Sequence, residues 1–493
     1  MDPVVTVAQG RLRGSERDGV ASFKGVHFAA PPFGEHRFAA PAPPTSWDGE
    51  RAATEYGPTA PKPPFPKPVD ALLVEPEIPG EDCLTLNVWT PDTTASLPVL
   101  VWIHGGAFVN GSGAVSVYDG TAFARDGVVC VTVNYRLGVD GFALLDGAPA
   151  NRGLLDQVAA LEWVRDNITA LGGDPAAVTI AGESAGAMSV TTLLTMPRAR
   201  GLFHRVIAQS GAGQHVISAG TAGTVSAALA ADLGVAASAS ALAEVPVPDL
   251  VSAQARLSAR IATQPDPTLW GEVATNLMAW EPAVDGDVVP GVPLDRIVDG
   301  VGADVAVLTG TNTDEHALFL VPSGIAPVVS EELLPVALGL LGADATAVVA
   351  TYRTAMPSAT PGELLIAALT DWFFRVPAVR VAEARAAAPA STHVYEFAWR
   401  SPQFGGALGA CHALEVPFAF DTLADPGNVP LAGEDPPQAV ADAVHAAWVA
   451  FVRTGDPGWA PYGPDRTVMR FDAASEVVLD PRAAERQVWG GVR

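Results

Sequence analysis

Val178-Thr179-Ile180-Ala181-Gly182-Glu183-Ser184-Ala185-Gly186 runs from a short apolar strand into a serine with a glycine two residues away on either side. Absent side chains at 182 and 186 let a strand and the following helix pack closely, so Ser184 can ride a sharp, strained turn that lifts its hydroxyl clear of the backbone. In a chain with 48 glycines the five-residue pattern alone is a modest signal. Its weight comes from the strand before it and from what the rest of the chain supplies.

Outward from this turn, strand-like runs alternate with helix-like ones, the rhythm of a mostly parallel sheet covered on both faces. Leu100-Val101-Trp102-Ile103 and Val128 to Val133 are buried strands on the N-terminal side. Leu154, Val158, Leu161, Val164 and Ile168 fall at helical spacing over 153–170, and Gly172-Gly173-Asp174-Pro175 stops that helix. Val206 to Gln209, Val305 to Leu308 and His393 to Phe397 continue the strands. Val440, Val444, Ala447, Trp448 and Phe451 mark a late amphipathic helix ending at Gly455-Asp456-Pro457. Alanine-rich stretches at roughly 216–300 and 325–390 read as helical excursions from one core, so the chain is expected to form a single domain over 1–493.

A serine hydroxyl is a poor nucleophile at neutral pH, so an imidazole must take its proton and an acid must orient that imidazole. Among nine histidines, His412 lies in the glycine-rich loop 405–413 just after the 393–397 strand, where a mobile polar group can reach over a sheet edge. The acid is best placed at Glu315, after the 305–308 strand, with Asp314 its nearest rival. The chain order Ser184, Glu315, His412, each member following a strand, is that of the α/β-hydrolase fold. His104-Gly105-Gly106-Ala107-Phe108, also at a strand end, and the N–H of Ala185 can donate to an oxyanion. Phe108, Leu318 and Phe319 adjoin these motifs and are expected in the pocket wall, whereas Trp102, Trp163 and Trp448 are packing residues. Glu183 divides evenly between tuning the site and a structural, hydrogen-bonded role, and Ser210 reads chiefly as a core-shaping residue.

Composition excludes other classes. The chain is 493 residues long and 49% hydrophobic, enough for a large core, and its net charge of -25 repels phosphate backbones and anionic lipid. No nucleic-acid partner is expected. Three widely spaced cysteines, Cys83, Cys130 and Cys411, suggest neither a disulfide framework nor a zinc site. Neither a basic-then-apolar leader nor a membrane-length apolar run occurs, so a cytoplasmic protein with no membrane partner is expected. The loop at 111–116 fails the dinucleotide fingerprint, and neither a P-loop nor an H-E-x-x-H motif is present, so no metal or organic cofactor is expected. Asn110-Gly111-Ser112 and Asn167-Ile168-Thr169 are read as chance glycosylation matches, and the proline-rich 61–68 as a stiff surface loop. Cys411 beside His412 is not read as a nucleophilic pair, since adjacent loop residues rarely face each other.

These residues, with Phe23-Lys24-Gly25-Val26, Arg37-Phe38, Glu81 to Trp89, Asn134 to Gly138, Gln209-Ser210-Gly211 and His412 to Phe418, resemble the type B carboxylesterases over nearly the whole chain. That family includes bacterial carboxylesterases and p-nitrobenzyl esterases and, more distantly, cholinesterases. The resemblance implies nucleophile, acid and base at Ser184, Glu315 and His412, oxyanion donors at Gly106, Ala107 and Ala185, and a deep catalytic gorge. Many relatives carry a cysteine where Ala60 stands, paired with the position of Cys83, so that disulfide cannot form here and the prolines at 61–68 are expected to stiffen the loop instead. Leu318 stands where cholinesterases carry an aromatic, and the loop 60–83 lacks their tryptophan, which disfavours a choline cage and favours a neutral aliphatic or aromatic ester. His316 replaces the family's glycine after the acid and leaves that loop's conformation open. The expected activity is carboxylic-ester hydrolysis on a small-molecule substrate through a serine acyl-enzyme, against a catalytically silent adhesion-type member or a lipase or amidase as alternatives.

Overall fold

Branched and aliphatic runs that are apolar on both sides belong between two layers of helices. A computed structural model, which describes residues 2–492, has eleven strands in one sheet, and those at its centre are such runs. The strands are β1 (Ser15–Arg17), β2 (Val20–His27), β3 (Thr85–Thr90), β4 (Leu97–Ile103), β5 (Val129–Val133), β6 (Gly173–Glu183), β7 (Arg205–Gln209), β8 (Ala306–Asn312), β9 (Thr392–Phe397), β10 (Thr467–Phe471) and β11 (Glu476–Leu479). Their spatial order is β11-β10-β9-β8-β7-β6-β4-β5-β3-β2-β1. Pairing is parallel from β10 through to β5. It is antiparallel at both edges. This is the α/β-hydrolase sheet; its antiparallel edge strands β1 to β3 and the terminal pair β10 and β11 were not anticipated from periodicity.

Alternation along β4 shows the two layers directly. Val99, Val101 and Ile103 enter one core cluster while Leu100 and Trp102 enter the other. Helices α1 (Arg152–Asn167) and α2 (Ala185–Leu193) pack on the first side, and α3 (Gln438–Thr454) on the second. Helix α1 stops three residues short of the expected end, passing through a 3-10 turn to Gly172 in the left-handed region at φ 80°. Between 216 and 300 lie the helices Ala219–Leu233 and Val247–Thr263, with a two-strand parallel pair, Ile217–Ser218 and Ala283–Val284, at the base. Between 325 and 390 the helices Ala345–Ala355, Pro361–Thr370 and Val376–Ala384 include a π-helical turn at Asp371–Arg375. No helix among the described residues is long and apolar enough to cross a membrane.

Buried polar groups hold the strand ends. Arg136, just beyond β5, donates from Nε and Nη2 to the two oxygens of Asp156 in α1 at 2.8 and 2.7 Å, with both side chains buried. Asn110 and Asn167 are themselves buried, their amides donating to Pro63 O and Trp163 O, so neither sequon is open to glycosylation in the fold. All three cysteines are free and buried, Cys83 free as expected.

Candidate active site

At the end of β6 the backbone of Ser184 takes φ 55° and ψ -122°, and α2 begins at the next residue. A serine held there stores roughly 1–3 kcal/mol of strain. The surroundings leave no alternative, because a Cβ on Gly186 would stand 1.9 Å from Ile103 O, and one on Gly182 would stand 2.5 Å from the Gly186 carbonyl carbon. The N–H of Ser184 donates to Gln209 O of β7 at 2.9 Å, fixing the turn to the neighbouring strand.

Glu315 and His412 come from the loops after β8 and β9, which pair in parallel and so end side by side. The imidazole Nδ1 donates to Glu315 Oε2 at 2.6 Å, and Glu315 Oε1 accepts from Asn312 N at 2.8 Å. The His412 N–H donates to Glu315 O at 3.2 Å, so backbone and side chain both register the two loops. Asp314 faces elsewhere. It accepts from Arg400 and from Ala410 N at 2.8 and 3.0 Å, bracing the glycine-rich loop. His316 sits at φ -70°, ordinary right-handed backbone, so histidine in place of glycine requires no special conformation. Its buried ring, with a pKa lowered to about 3 by burial and by His412, is neutral and packs among Phe319, Phe373 and Phe374.

Two carboxylates, Glu183 and Glu315, contact the ring of His412. Its Nε2 lies 3.0 Å from Glu183 Oε1, off the axis of a hydrogen bond. Burial alone would lower the imidazole pKa, but the charges of Glu183 and then Glu315 outweigh it and hold the pKa well above its usual value. Glu415, three residues on, accepts from Gln209 Nε2 at 3.1 Å and Asn312 Nδ2 at 2.6 Å, and Gln209 is itself held by Trp448 Nε1 at 2.8 Å. Burial, then Glu183 and Glu315, push the Glu415 carboxyl up to about 8. Burial and Glu315 raise the Cys411 thiol far above its normal range, so it is no thiolate nucleophile. The hydroxyl of Ser210 is buried without a partner among the described residues, on backbone at φ 54°.

The 104–108 loop follows β4 and runs beside the serine. A Cβ on Gly105 would lie 2.8 Å from Glu183 O and 3.1 Å from Ser184 Cβ, so only glycine lets this backbone approach. Gly106, Ala107 and Phe108 all have positive φ, at 107°, 52° and 61°. Ala185 opens α2, and an N–H in that position has no intrahelical acceptor. His104 is structural: its Nδ1 bonds Gly105 O at 2.8 Å, its ring stacks on Tyr135 at 4.5 Å, and burial lowers its pKa to about 3.

Of the three expected wall residues, Phe319 is 39% exposed with its ring 5.5 Å from that of His412. Phe108 and Leu318 require correction: Phe108, on backbone of positive φ, is fully buried against Phe142, and Leu318, on the buried side of the short helix Ala317–Leu320, is enclosed in the second core cluster. Phe374, itself buried and a packing neighbour of the imidazole with its ring 4.7 Å from that of His412, was missed, although Trp372-Phe373-Phe374 is a conspicuous aromatic triplet inside an alanine-rich stretch. The extra residue of the π-helical turn aims that triplet inward. Among the described residues no group of three or more His, Cys, Asp or Glu side chains is arranged to hold a metal ion.

Known proteins share this framework. A model of the carboxylesterase family matches residues 1–489. Para-nitrobenzyl esterase of Bacillus subtilis is 38% identical over 98% of this chain and 98% of its own length. Phenmedipham hydrolase of Pseudarthrobacter oxydans is 38% identical over 92% of this chain and 90% of its own. Among solved structures, a thermophilic PNB esterase superposes with a TM-score of 0.86 at 36% identity, covering 99% of this chain and 100% of that one. A Geobacillus stearothermophilus carboxylesterase gives a TM-score of 0.86 at 37% identity, covering 99% of each.

Proposed function

This chain belongs to the carboxylesterase family and is an ester hydrolase, and from that premise we propose that it works through an acyl-enzyme on Ser184, with His412 as base and Glu315 as its orienting acid. The 2.6 Å bond from His412 Nδ1 to Glu315 Oε2 carries the reading, because it orients the ring and keeps the proton of the neutral imidazole on Nδ1, so that in the deprotonated ring Nε2, beside Glu183, holds the lone pair that accepts a proton. Nε2 takes the proton of Ser184 as Oγ bonds the acyl carbon, and the carbonyl electrons move onto oxygen opposite the N–H groups of Gly106, Ala107 and Ala185. Collapse expels the alcohol, which receives the proton from His412. Water, deprotonated by the same nitrogen, then repeats the sequence and frees the acid.

Two buried carboxylates, Glu183 and Glu315, lie against the imidazole of His412 and disfavour an anionic substrate, and the aromatic rings of Phe319 and Phe374 flank the same ring. A neutral aliphatic or aromatic ester fits that lining, in keeping with relatives named para-nitrobenzyl esterase and phenmedipham hydrolase. We also read the chain as one domain working in a reducing, cytoplasmic setting, which the three free thiols support. Ser184→Ala is expected to cut kcat for p-nitrophenyl acetate about 10⁴-fold or more, and the parent enzyme to show a burst of one nitrophenolate per chain. Retention of most activity by that variant would refute the assignment.

A further inference from the structure

The proline-rich loop carries more than stiffness. Lys62 is one of only three lysines in the chain, and its side chain is 6% exposed. It forms an ion pair of 2.8 Å with Glu75, itself 9% exposed, across the base of the loop between 60 and 83. Both ends of the pair grip one residue: Lys62 Nζ donates to Gly111 O at 3.1 Å, and Glu75 Oε1 accepts from Gly111 N. Asn110 joins the same clamp through Pro63 O at 2.6 Å and Glu75 Oε2 at 3.5 Å.

Gly111 is the returning limb of the oxyanion loop. At φ 96° its would-be Cβ lies 2.2 Å from His104 Nδ1 and 2.3 Å from Gly105 O, so any shift of Gly111 is felt at Gly105. Asn110 N donates to Gly106 O at 2.8 Å, and a Cβ on Gly106 would lie 2.3 Å from Asn110 O. Thus the two residues held by the ion pair are the two that back the turn presenting the Gly106 and Ala107 amides. Hydrogen-bond donors stabilise a developing oxyanion only when fixed in advance, and misplacement by about 1 Å costs on the order of a hundredfold.

We propose that Lys62 and Glu75 are positioning residues for the oxyanion hole, a buried ionic clamp that locks the 104–111 loop through Asn110 and Gly111. Because this rests on the Ser184 reading, Ser184→Ala accompanies every measurement as the blank. The test compares the parent enzyme with Lys62→Met/Glu75→Met and with Lys62→Met/Glu75→Gln. Replacing both members of a buried pair by neutral groups of similar volume commonly leaves stability unchanged. The readouts are kcat and KM for p-nitrophenyl acetate, the inhibition constant of an aryl trifluoromethyl ketone that forms an oxyanion on the serine, and Tm.

The expected result is a kcat lowered about tenfold to a hundredfold with KM within about threefold. The ketone should weaken by the same factor as kcat/KM, and Lys62→Met/Glu75→Gln, whose amide oxygen can still accept from Gly111, should lose less than the double methionine variant. A folded variant with wild-type kcat, or one whose kcat falls while the ketone binds unchanged, overturns the clamp. Activity surviving in Ser184→Ala instead overturns the underlying mechanism, so the two failures are distinct.

Discussion

Glu183→Gln removes a negative charge 3.0 Å from His412 Nε2, the nitrogen that accepts the serine proton in the proposed mechanism. At that separation Coulomb's law gives about 1.4 kcal/mol even with the dielectric constant of water, and about 5–6 kcal/mol at an effective value of 20. One pKa unit corresponds to about 1.4 kcal/mol, so the imidazole pKa should fall by at least about one unit. The remaining charged neighbour in contact with the ring, Glu315, stays, as does buried Glu415; His316 is neutral and contributes no charge. In the proposed mechanism His412 acts as a base only when neutral, so kcat/KM should climb with pH through its pKa and a lowered pKa should move that acid limb to lower pH. The assay is a kcat/KM profile for p-nitrophenyl acetate from pH 4.5 to 9, under an ionic strength held constant. The variant should keep its plateau within about tenfold while its acid limb shifts downward by about one unit or more. A limb that stays in place or moves upward would refute the electrostatic coupling of Glu183 to the base.

Other outcomes follow from the same geometry. The Glu415 pKa is raised from 4.5 to about 8 in the fold, so its contribution to stability is complete below 4.5 and is lost as pH rises through about 8. The Tm of Glu415→Gln relative to the parent should therefore increase from pH 5 to 8.5 by several degrees, on the order of a few kcal/mol, and a pH-independent difference would contradict it. Gly186→Ala drives a Cβ against the backbone carbonyl of Ile103 and should cost at least about 3 kcal/mol in chemical denaturation, with esterase activity lost in whatever folds. Asp156→Ala leaves the Arg136 guanidinium buried and unpaired and should cost about 3–5 kcal/mol, read from the shift of the guanidinium chloride midpoint.

Much of the site was readable because its members sit at strand ends. Val178 to Ala181 lies inside β6, and Ser184, Glu315 and His412 follow β6, β8 and β9. Local pattern revealed the tight turn at 182–186, since glycine is the only residue whose missing Cβ satisfies the contacts with Ile103. Phe374 escaped because a single extra residue in a helical turn, invisible to 3.6-residue periodicity, redirects the aromatic triplet. Leu318 was misjudged for a related reason: adjacency to the acid in the chain says nothing of which side of the short helix Ala317–Leu320 a residue occupies.

By itself the sequence indicated the central strands β4 to β9, the tight turn at 182–186 and the chain order of the three candidate site residues, because hydrophobic period and the steric demands of glycine act over a few residues. Tertiary structure alone decided how charges far apart in the chain meet. Glu315 and His412 are separated by 97 positions, and Lys62 and Glu75 enclose a loop that local pattern shows only as proline-rich. The pKa values of His412 and Glu415 depend on burial and on through-space Coulomb terms that have no local sequence signature. The turn at 182–186 could be read from the chain; that Glu183 faces the His412 imidazole, and that an ion pair grips Gly111, required the folded chain.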